Sequence, residues 1–361
     1  MNLYPPFRSL LFKLEPEVAH ELTLQLIRVA GILPPVRWVL SSLFAAPQKP
    51  VEAFGLRFKN PVGLAAGYDK DGIAISGLAT LGFGHIEIGT VTPRPQPGNP
   101  KPRVFRLLED EAVINRMGFP SRGTEYVQIQ LNPGLAGGIW ERVTGIPGRN
   151  NRKKSKRRAA ILGVNLGKNK DTPNEEAVYD YLALLQNYAP LADYLAINIS
   201  SPNTPGLRSL QGREALEALL TQLHAQRKLE QTRLEKRLPL LVKLAPDLST
   251  KELEEAVGVI IDTGMDGIIA TNTTLAREGL RSAQRSETGG LSGRPLIQLS
   301  DDALSRVVKI ADGRIPVVGV GGIMCPQDAQ RKLDLGASLV QVYTGMIYAG
   351  PGLVQEIVKK I

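Results

Sequence analysis

From Val51 onward the chain alternates short apolar runs with longer amphipathic stretches, and this alternation restricts the fold more than any other feature. Strand and helix repeating in that order build a parallel sheet. The candidate strands are Pro61–Ala65, His85–Gly89, Ile161–Leu166, Tyr194–Ile199, Leu240–Leu244, Gly267–Ala270, Pro316–Val320 and Leu339–Tyr343. Eight such units fit a closed (β/α)8 barrel. The ends of the runs favour that barrel over an open sheet, because each is followed by a side chain or glycine able to do chemistry. Lys70 follows the first, Thr90 the second, Asn165 and Lys168 the third, Asn198 to Asn203 the fourth, Lys243 the fifth and Thr271 to Thr274 the sixth. The last two end in Gly321-Gly322 and Tyr343-Thr344-Gly345. In a TIM barrel all these ends open onto one face, which is where an active site is expected.

The first 46 residues read differently. Phe7, Leu10, Leu11 and Leu14 follow a helical period, and Val18, Leu22, Leu26 and Val29 form a second stripe opened by Pro16. Gly31, Pro34 and Pro35 are expected to separate it from a short third helix carrying Trp38, Val39, Leu40, Leu43 and Phe44. Charged residues interrupt every window, so no stretch reaches the ~20 apolar residues of a bilayer span, and the pattern is not that of a cleavable signal peptide. Residues 1–46 thus read as an amphipathic helical module beside a main domain over 47–361. Taken alone, the stripes either pack on the main domain or lie in a membrane interface. Packing is the plainer reading.

The net charge of +9 invites a nucleic-acid or membrane-surface reading. Seven of the cations lie between Arg149 and Arg158, which leaves +2 for the rest of the chain. The run has no interleaved aromatics for stacking bases, and it sits in a Gly/Asn/Pro-rich insertion at about 133–158, so a solvated loop is expected and no nucleic-acid partner. One cysteine, Cys325, excludes an internal disulfide, and three scattered histidines give no metal cage.

Glycine-rich turns after the last two strands commonly hold a phosphate through backbone amides, and Gly289 to Gly293 offers more of them. The segment Asn198-Ile199-Ser200-Ser201-Pro202-Asn203-Thr204 is dense in groups that both donate and accept. Such groups suit a planar heterocycle with alternating C=O and N–H. Asn115, Asn272 and Thr273 repeat that chemistry, and Lys70 and Lys243 add fixed positive charge on the same face.

Together Ala65-Ala66-Gly67-Tyr68-Asp69-Lys70-Asp71-Gly72, Gly98 to Arg103, Asn115-Arg116-Met117-Gly118-Phe119, Asn198 to Thr204 and Gly289 to Gly293 resemble the motifs of the dihydroorotate dehydrogenase family, in its quinone-linked membrane class. The resemblance runs over nearly the whole chain. It implies an FMN-binding barrel that oxidises dihydroorotate to orotate in pyrimidine synthesis. By that resemblance Ala66, Gly67, Thr90, Asn165, Asn198, Lys243, Thr271, Gly293, Gly322, Tyr343 and Thr344 would contact FMN. Lys70, Asn115, Arg116, Met117, Gly118, Phe119, Asn198, Asn203, Asn272 and Thr273 would contact the substrate. Ser201 matches the family's base, with Thr204 and a water near Phe119 relaying the proton. The soluble classes carry cysteine where this chain has Ser201.

The resemblance also turns the helical module into an apolar tunnel for a membrane quinone, with His20, Arg106 and Tyr343 along the route. With neither a spanning helix nor an Arg-rich presequence, a monomer held peripherally on the cytoplasmic side of the cell membrane is expected. The insertion at 133–158 is longer than the family pattern. Two other readings compete: a soluble FMN barrel reducing fumarate or NAD, and, more remotely, a non-enzymatic basic surface-binding protein. Ser201 and the module oppose the first, and the polar strand ends oppose the second.

Overall fold

The computed structural model describes residues 4–132 and 160–361. Eight parallel strands close into a barrel: β1 (Val62–Leu64), β2 (His85–Val91), β3 (Ile161–Leu166), β4 (Tyr194–Asn198), β5 (Leu240–Leu244), β6 (Gly267–Ala270), β7 (Val317–Val320) and β8 (Leu339–Val342). Each pairs with its neighbour in chain order, and β8 closes on β1 through Val340 opposite Val62. All eight expected strands are present, with ends shifted by no more than two residues.

Side chains divide by the two-residue period of a strand. On β2, Ile86 and Ile88 face outward into the layer shared with the helices, while the inward Glu87 reaches Tyr194 on β4 and Gln341 on β8. The hairpin of Val51–Ala53 and Leu56–Phe58 supplies Phe54 and Phe58 to the inner apolar cluster with Leu241, Ile269, Val318 and Leu339. Both barrel layers are therefore packed, and the larger cavity among the described residues lies at the strand C-termini.

Two features differ from the sequence reading. The run Gly289 to Gly293, read as an amide-rich anion loop, holds an edge strand, Gly290–Gly293, antiparallel to Ala112–Asn115, which in turn pairs with Val104–Leu107. A four-residue strand rich in glycine has no hydrophobic alternation to reveal it. Gly31 does not break its helix. The module consists of α1 (Tyr4–Leu11), α2 (Pro16–Ile32) and α3 (Pro34–Leu43), with the break at Leu33. Gly31 instead allows close approach: a Cβ there would fall 2.3 Å from the Gly77 nitrogen, and one on Gly77 would fall 2.0 Å from the Ile27 carbonyl. Only hydrogen fits at that crossing.

The module leaves much of its apolar surface outside, with Trp38 73% exposed, Leu10 64% and Phe7 63%. Among the described residues no single helix is long and apolar enough to cross a membrane, and α2 meets α3 at 107°. The basic run Arg149–Arg158 lies outside the described residues. Its described flanks are Asn132, closing the helix Gly123–Leu131, and Ala160, preceding β3.

Candidate active site

A cavity of about 960 Å³ opens where the strand C-termini meet the helical module. One end is polar and belongs to the barrel. The other is apolar, lined by Leu11, Phe12, Leu26, Leu40 and Leu43 from the module and by Met346 and Ile347 after β8.

The polar end is a connected hydrogen-bond lattice. The buried Glu87 carboxylate accepts from Asn165 Nδ2 (2.8 Å), Tyr194 OH (2.9 Å) and Gln341 Nε2 (2.9 Å). Because Asn165 donates there, its Oδ1 must accept, and it does so from Thr90 Oγ1 (2.6 Å) and Asn198 Nδ2 (2.9 Å). One anion thus fixes the orientation of the amides above it. Glu87 was missed in the sequence, although an acid alternating with Ile86 and Ile88 is the signal of an inward polar position.

The Asn198–Asn203 loop supplies the next wall. Asn272 Nδ2 donates to Ser200 Oγ (2.9 Å), and Asn203 Nδ2 donates to Asn115 Oδ1 (3.2 Å), which brings three distant segments together. Ser201 is 5% exposed, lines the cavity and accepts the Asn203 backbone N–H at 3.2 Å. Phe119 lines it in a left-handed conformation, φ +55°, that a bulky side chain rarely adopts. Gln96 holds that turn by donating to the Phe119 carbonyl at 2.8 Å.

Burial pushes the Lys243 ammonium below the usual lysine range, with Glu87 opposing the shift, and Lys243 makes no hydrogen bond among the described residues. A charge held without a partner in a cavity wall is ready for a ligand. Lys70 is likewise lowered by burial, and its ammonium donates to the Gly67 carbonyl at 2.8 Å. Gly321 and Gly322, after β7, have φ of +110° and +70°, and a Cβ on Gly322 would sit 2.6 Å from Ile297 Cα. Gly293, φ +97°, and Thr344 meet at the same edge, where Thr344 Oγ1 donates to Ser292 Oγ at 2.9 Å. Side-chain-free turns and an unpaired lysine lining one cavity fit a phosphorylated planar cofactor such as FMN.

Of the expected cofactor and substrate residues, Ala66, Gly67, Thr90, Asn198, Lys243, Thr271, Gly293, Gly322, Tyr343, Thr344, Lys70, Asn115, Met117, Gly118, Phe119, Asn203, Asn272 and Thr273 line the cavity. Three expected residues do not. Asn165 sits one layer behind, fully buried under Thr90 and Asn198. The Arg116 side chain turns away, paired with Glu287 at 2.6 Å and 4.5 Å from the Phe105 ring. Thr204 is buried behind the wall with its hydroxyl unpartnered.

A line of rings joins the polar end to the module. His20 packs edge-on to Tyr68 (5.0 Å), and Tyr68 packs edge-on to Tyr343 (5.8 Å), whose hydroxyl donates to the Gly67 carbonyl (3.3 Å). Burial, reinforced by the charge of Lys70, lowers the His20 pKa to about 3, so its imidazole is neutral at physiological pH. Arg106 lies over Phe12 at 4.7 Å and donates to the carbonyls of Leu11 and Leu14, tying the end of α1 to the barrel.

A closed barrel whose strand ends enclose amide-rich walls, glycine turns and an unpaired lysine is the architecture of a barrel enzyme with its site at the strand C-termini. The dihydroorotate dehydrogenase family model matches residues 50–361. Curated relatives named dihydroorotate dehydrogenase (quinone) include that of Azotobacter vinelandii, 48% identical with 99% of this chain and 96% of the relative covered. Another, from a Roseiflexus species, is 47% identical, with 99% and 92% covered. Two solved structures of DHODH from Eimeria tenella are similar at 40% identity. The ferulenol complex has a TM-score of 0.81, covering 96% of this chain and 90% of that one. The ligand-free form has a TM-score of 0.80, covering 96% and 93%. The chain belongs to the dihydroorotate dehydrogenase family.

Proposed function

We infer that this protein is a quinone-linked dihydroorotate dehydrogenase, oxidising (S)-dihydroorotate to orotate in pyrimidine biosynthesis. The observation that carries the reading is one continuous cavity, polar around Ser201 and Lys243 and apolar inside the helical module. A soluble acceptor has no use for the apolar half.

FMN, when bound, supplies the two-electron acceptor. Gly293, Gly322 and Thr344 would hold its phosphate, while Thr90, Asn198, Lys243 and Thr271 would face its ring. Asn165 would act indirectly, by orienting Asn198. Asn115, Asn203, Asn272 and Thr273 would bind the dihydroorotate ring, and the Lys70 ammonium its carboxylate. Met117 and Gly118 would shape the pocket, and Phe119 would shield it from water. The backbone of Arg116 shapes the same wall, with its side chain engaged elsewhere.

Ser201 Oγ would take the C5 proton as hydride leaves C6. Thr204, whose buried hydroxyl has no hydrogen-bond partner among the described residues, would pass that proton outward together with a water near Phe119. At the far end the neutral His20, Arg106 and Tyr343 would line the route of the quinone. The exposed apolar residues of α1 to α3 support peripheral docking on a membrane. The protein would act as a monomer on the cytoplasmic side.

An acceptor comparison tests this reading. With dihydroorotate as donor, turnover is expected with a long-tailed quinone carried in lipid vesicles and at least ~100-fold slower with fumarate or NAD, since only the quinone matches the apolar half. Equal turnover with fumarate would move the protein to a soluble class.

A further inference from the structure

The helical module and the substrate wall meet at a buried ion pair that the chemistry above does not use. Glu17, in the first turn of α2, is 4% exposed, and Arg103, just before the strand Val104–Leu107, is 7% exposed. Arg103 donates to the Glu17 carboxylate through Nη2 at 2.7 Å and Nε at 3.1 Å. Its remaining nitrogen, Nη1, donates to the carbonyls of Pro97 (2.6 Å) and Asn99 (2.8 Å). The guanidinium is fully engaged, half by the module and half by the loop beside the substrate wall.

That loop holds the wall in turn. Asn99 Nδ2 donates to the Arg116 carbonyl at 2.9 Å and to the Asn203 carbonyl at 3.2 Å, and the Asn99 backbone N–H donates to the Met117 carbonyl at 2.9 Å. There is no slack between the two loops. A Cβ on Gly98 would fall 2.4 Å from the Met117 carbonyl oxygen, and one on Gly118 would fall 2.7 Å from the Asn99 side chain. A shift of Asn99 is therefore passed on to the wall, because a close-packed interior has no room to absorb it. Glu17 also bears on the wall electrostatically, since its charge is the strongest one opposing the burial that lowers the Lys70 pKa.

We infer that Glu17 and Arg103 form a positioning pair that couples the seating of the helical module to substrate binding, so that each tightens the other. The inference rests on the functional reading above, which makes the Asn115–Phe119 wall the dihydroorotate site. Removing one partner of a buried pair leaves the other uncompensated. An Arg103 that has lost the Glu17 carboxylate keeps only the two loop carbonyls, and as it turns toward another partner it draws Asn99 with it. Coupling of binding free energies is reciprocal, so orotate must in turn tighten α2 against the barrel.

The test uses the full-length, FMN-loaded protein with orotate as the probe. Orotate affinity is read from the perturbation of the flavin absorbance, and the seating of α2 from amide exchange over Pro16–Ile32. In the parent, saturating orotate is expected to slow exchange in that helix. Glu17→Gln should weaken orotate binding about tenfold, raise KM for dihydroorotate in step with little change in kcat, and abolish the orotate-dependent slowing. Glu17→Asp should restore part of both. Glu21→Gln, altering an exposed carboxylate 3.9 Å from Lys101, should change neither.

Parent exchange that is indifferent to orotate overturns the coupling even if Glu17→Gln fails to fold. So does a folded Glu17→Gln protein whose orotate affinity matches the parent, which would make the pair a simple anchor. A parent whose flavin does not respond to orotate at all would instead overturn the functional reading, and this inference with it.

Discussion

Ser201→Ala is expected to retain FMN and bind orotate, yet to slow reduction of the flavin by dihydroorotate at least ~100-fold, the loss typical of a missing general base. The Ser201 hydroxyl has no imidazole or carboxylate partner among the described residues, and its one hydrogen bond inside the chain is accepted from the Asn203 N–H. It can act as a base only if a neighbour accepts its proton. Thr204, whose buried hydroxyl has no hydrogen-bond partner among the described residues, would receive it through the water near Phe119. Alanine removes one oxygen from a site that is 5% exposed, and the orphaned Asn203 N–H costs about 1 kcal/mol. A cost that small leaves the fold and the orotate-binding amides in place. Rapid-mixing absorbance measurements separate this half-reaction from quinone turnover. A near-parental rate in the variant would place the base elsewhere.

Lys243→Met should strip the protein of most of its FMN. In the parent the ammonium sits in the cavity wall with a pKa lowered by burial, opposed by the charge of Glu87. Glu87 already accepts three hydrogen bonds from neutral donors, so methionine does not orphan it. The variant therefore separates the flavin's loss from the fold's. Free of flavin, a lysine with a lowered folded pKa binds fewer protons in the native state than in the unfolded one. The buried charge is then a cost at neutral pH that shrinks as pH rises from the folded pKa toward the usual lysine value of about 10.5. Flavin-free Lys243→Met should accordingly melt no lower than the flavin-free parent at pH 7, with any advantage fading toward pH 10. Purification of the variant with about one FMN per chain would contradict the role given to Lys243.

The barrel was legible because its strands are buried on both faces. They appear as short apolar runs such as Gly267–Ala270, or Leu240–Leu244 with Lys243 as its one polar residue, and these are the observed strands. The glycine-rich strand Gly290–Gly293 and the close crossing at Gly31 carried no such signal, since each depends on what lies opposite. The site was legible in the same unequal way. Most of the asparagines and lysines at strand ends face the cavity, Asn165 and Lys168 excepted, because a parallel barrel sends every strand end to one face.

The direction of the Arg116 side chain was not legible, because a motif position does not say which way a long side chain turns, and Glu287, 171 residues away, claims it. The pairing of Glu17 with Arg103 spans 86 residues and two structural units, so nothing local announces it. Glu87 could have been found once the inward face of β2 was assigned.

The most direct measurement is an anaerobic titration of the FMN-loaded protein with dihydroorotate. The flavin absorbance should bleach fully at about one dihydroorotate per flavin, with one orotate formed, and return on adding a quinone. Flavin that stays oxidised in excess dihydroorotate would contradict the assignment of this cavity to dihydroorotate oxidation.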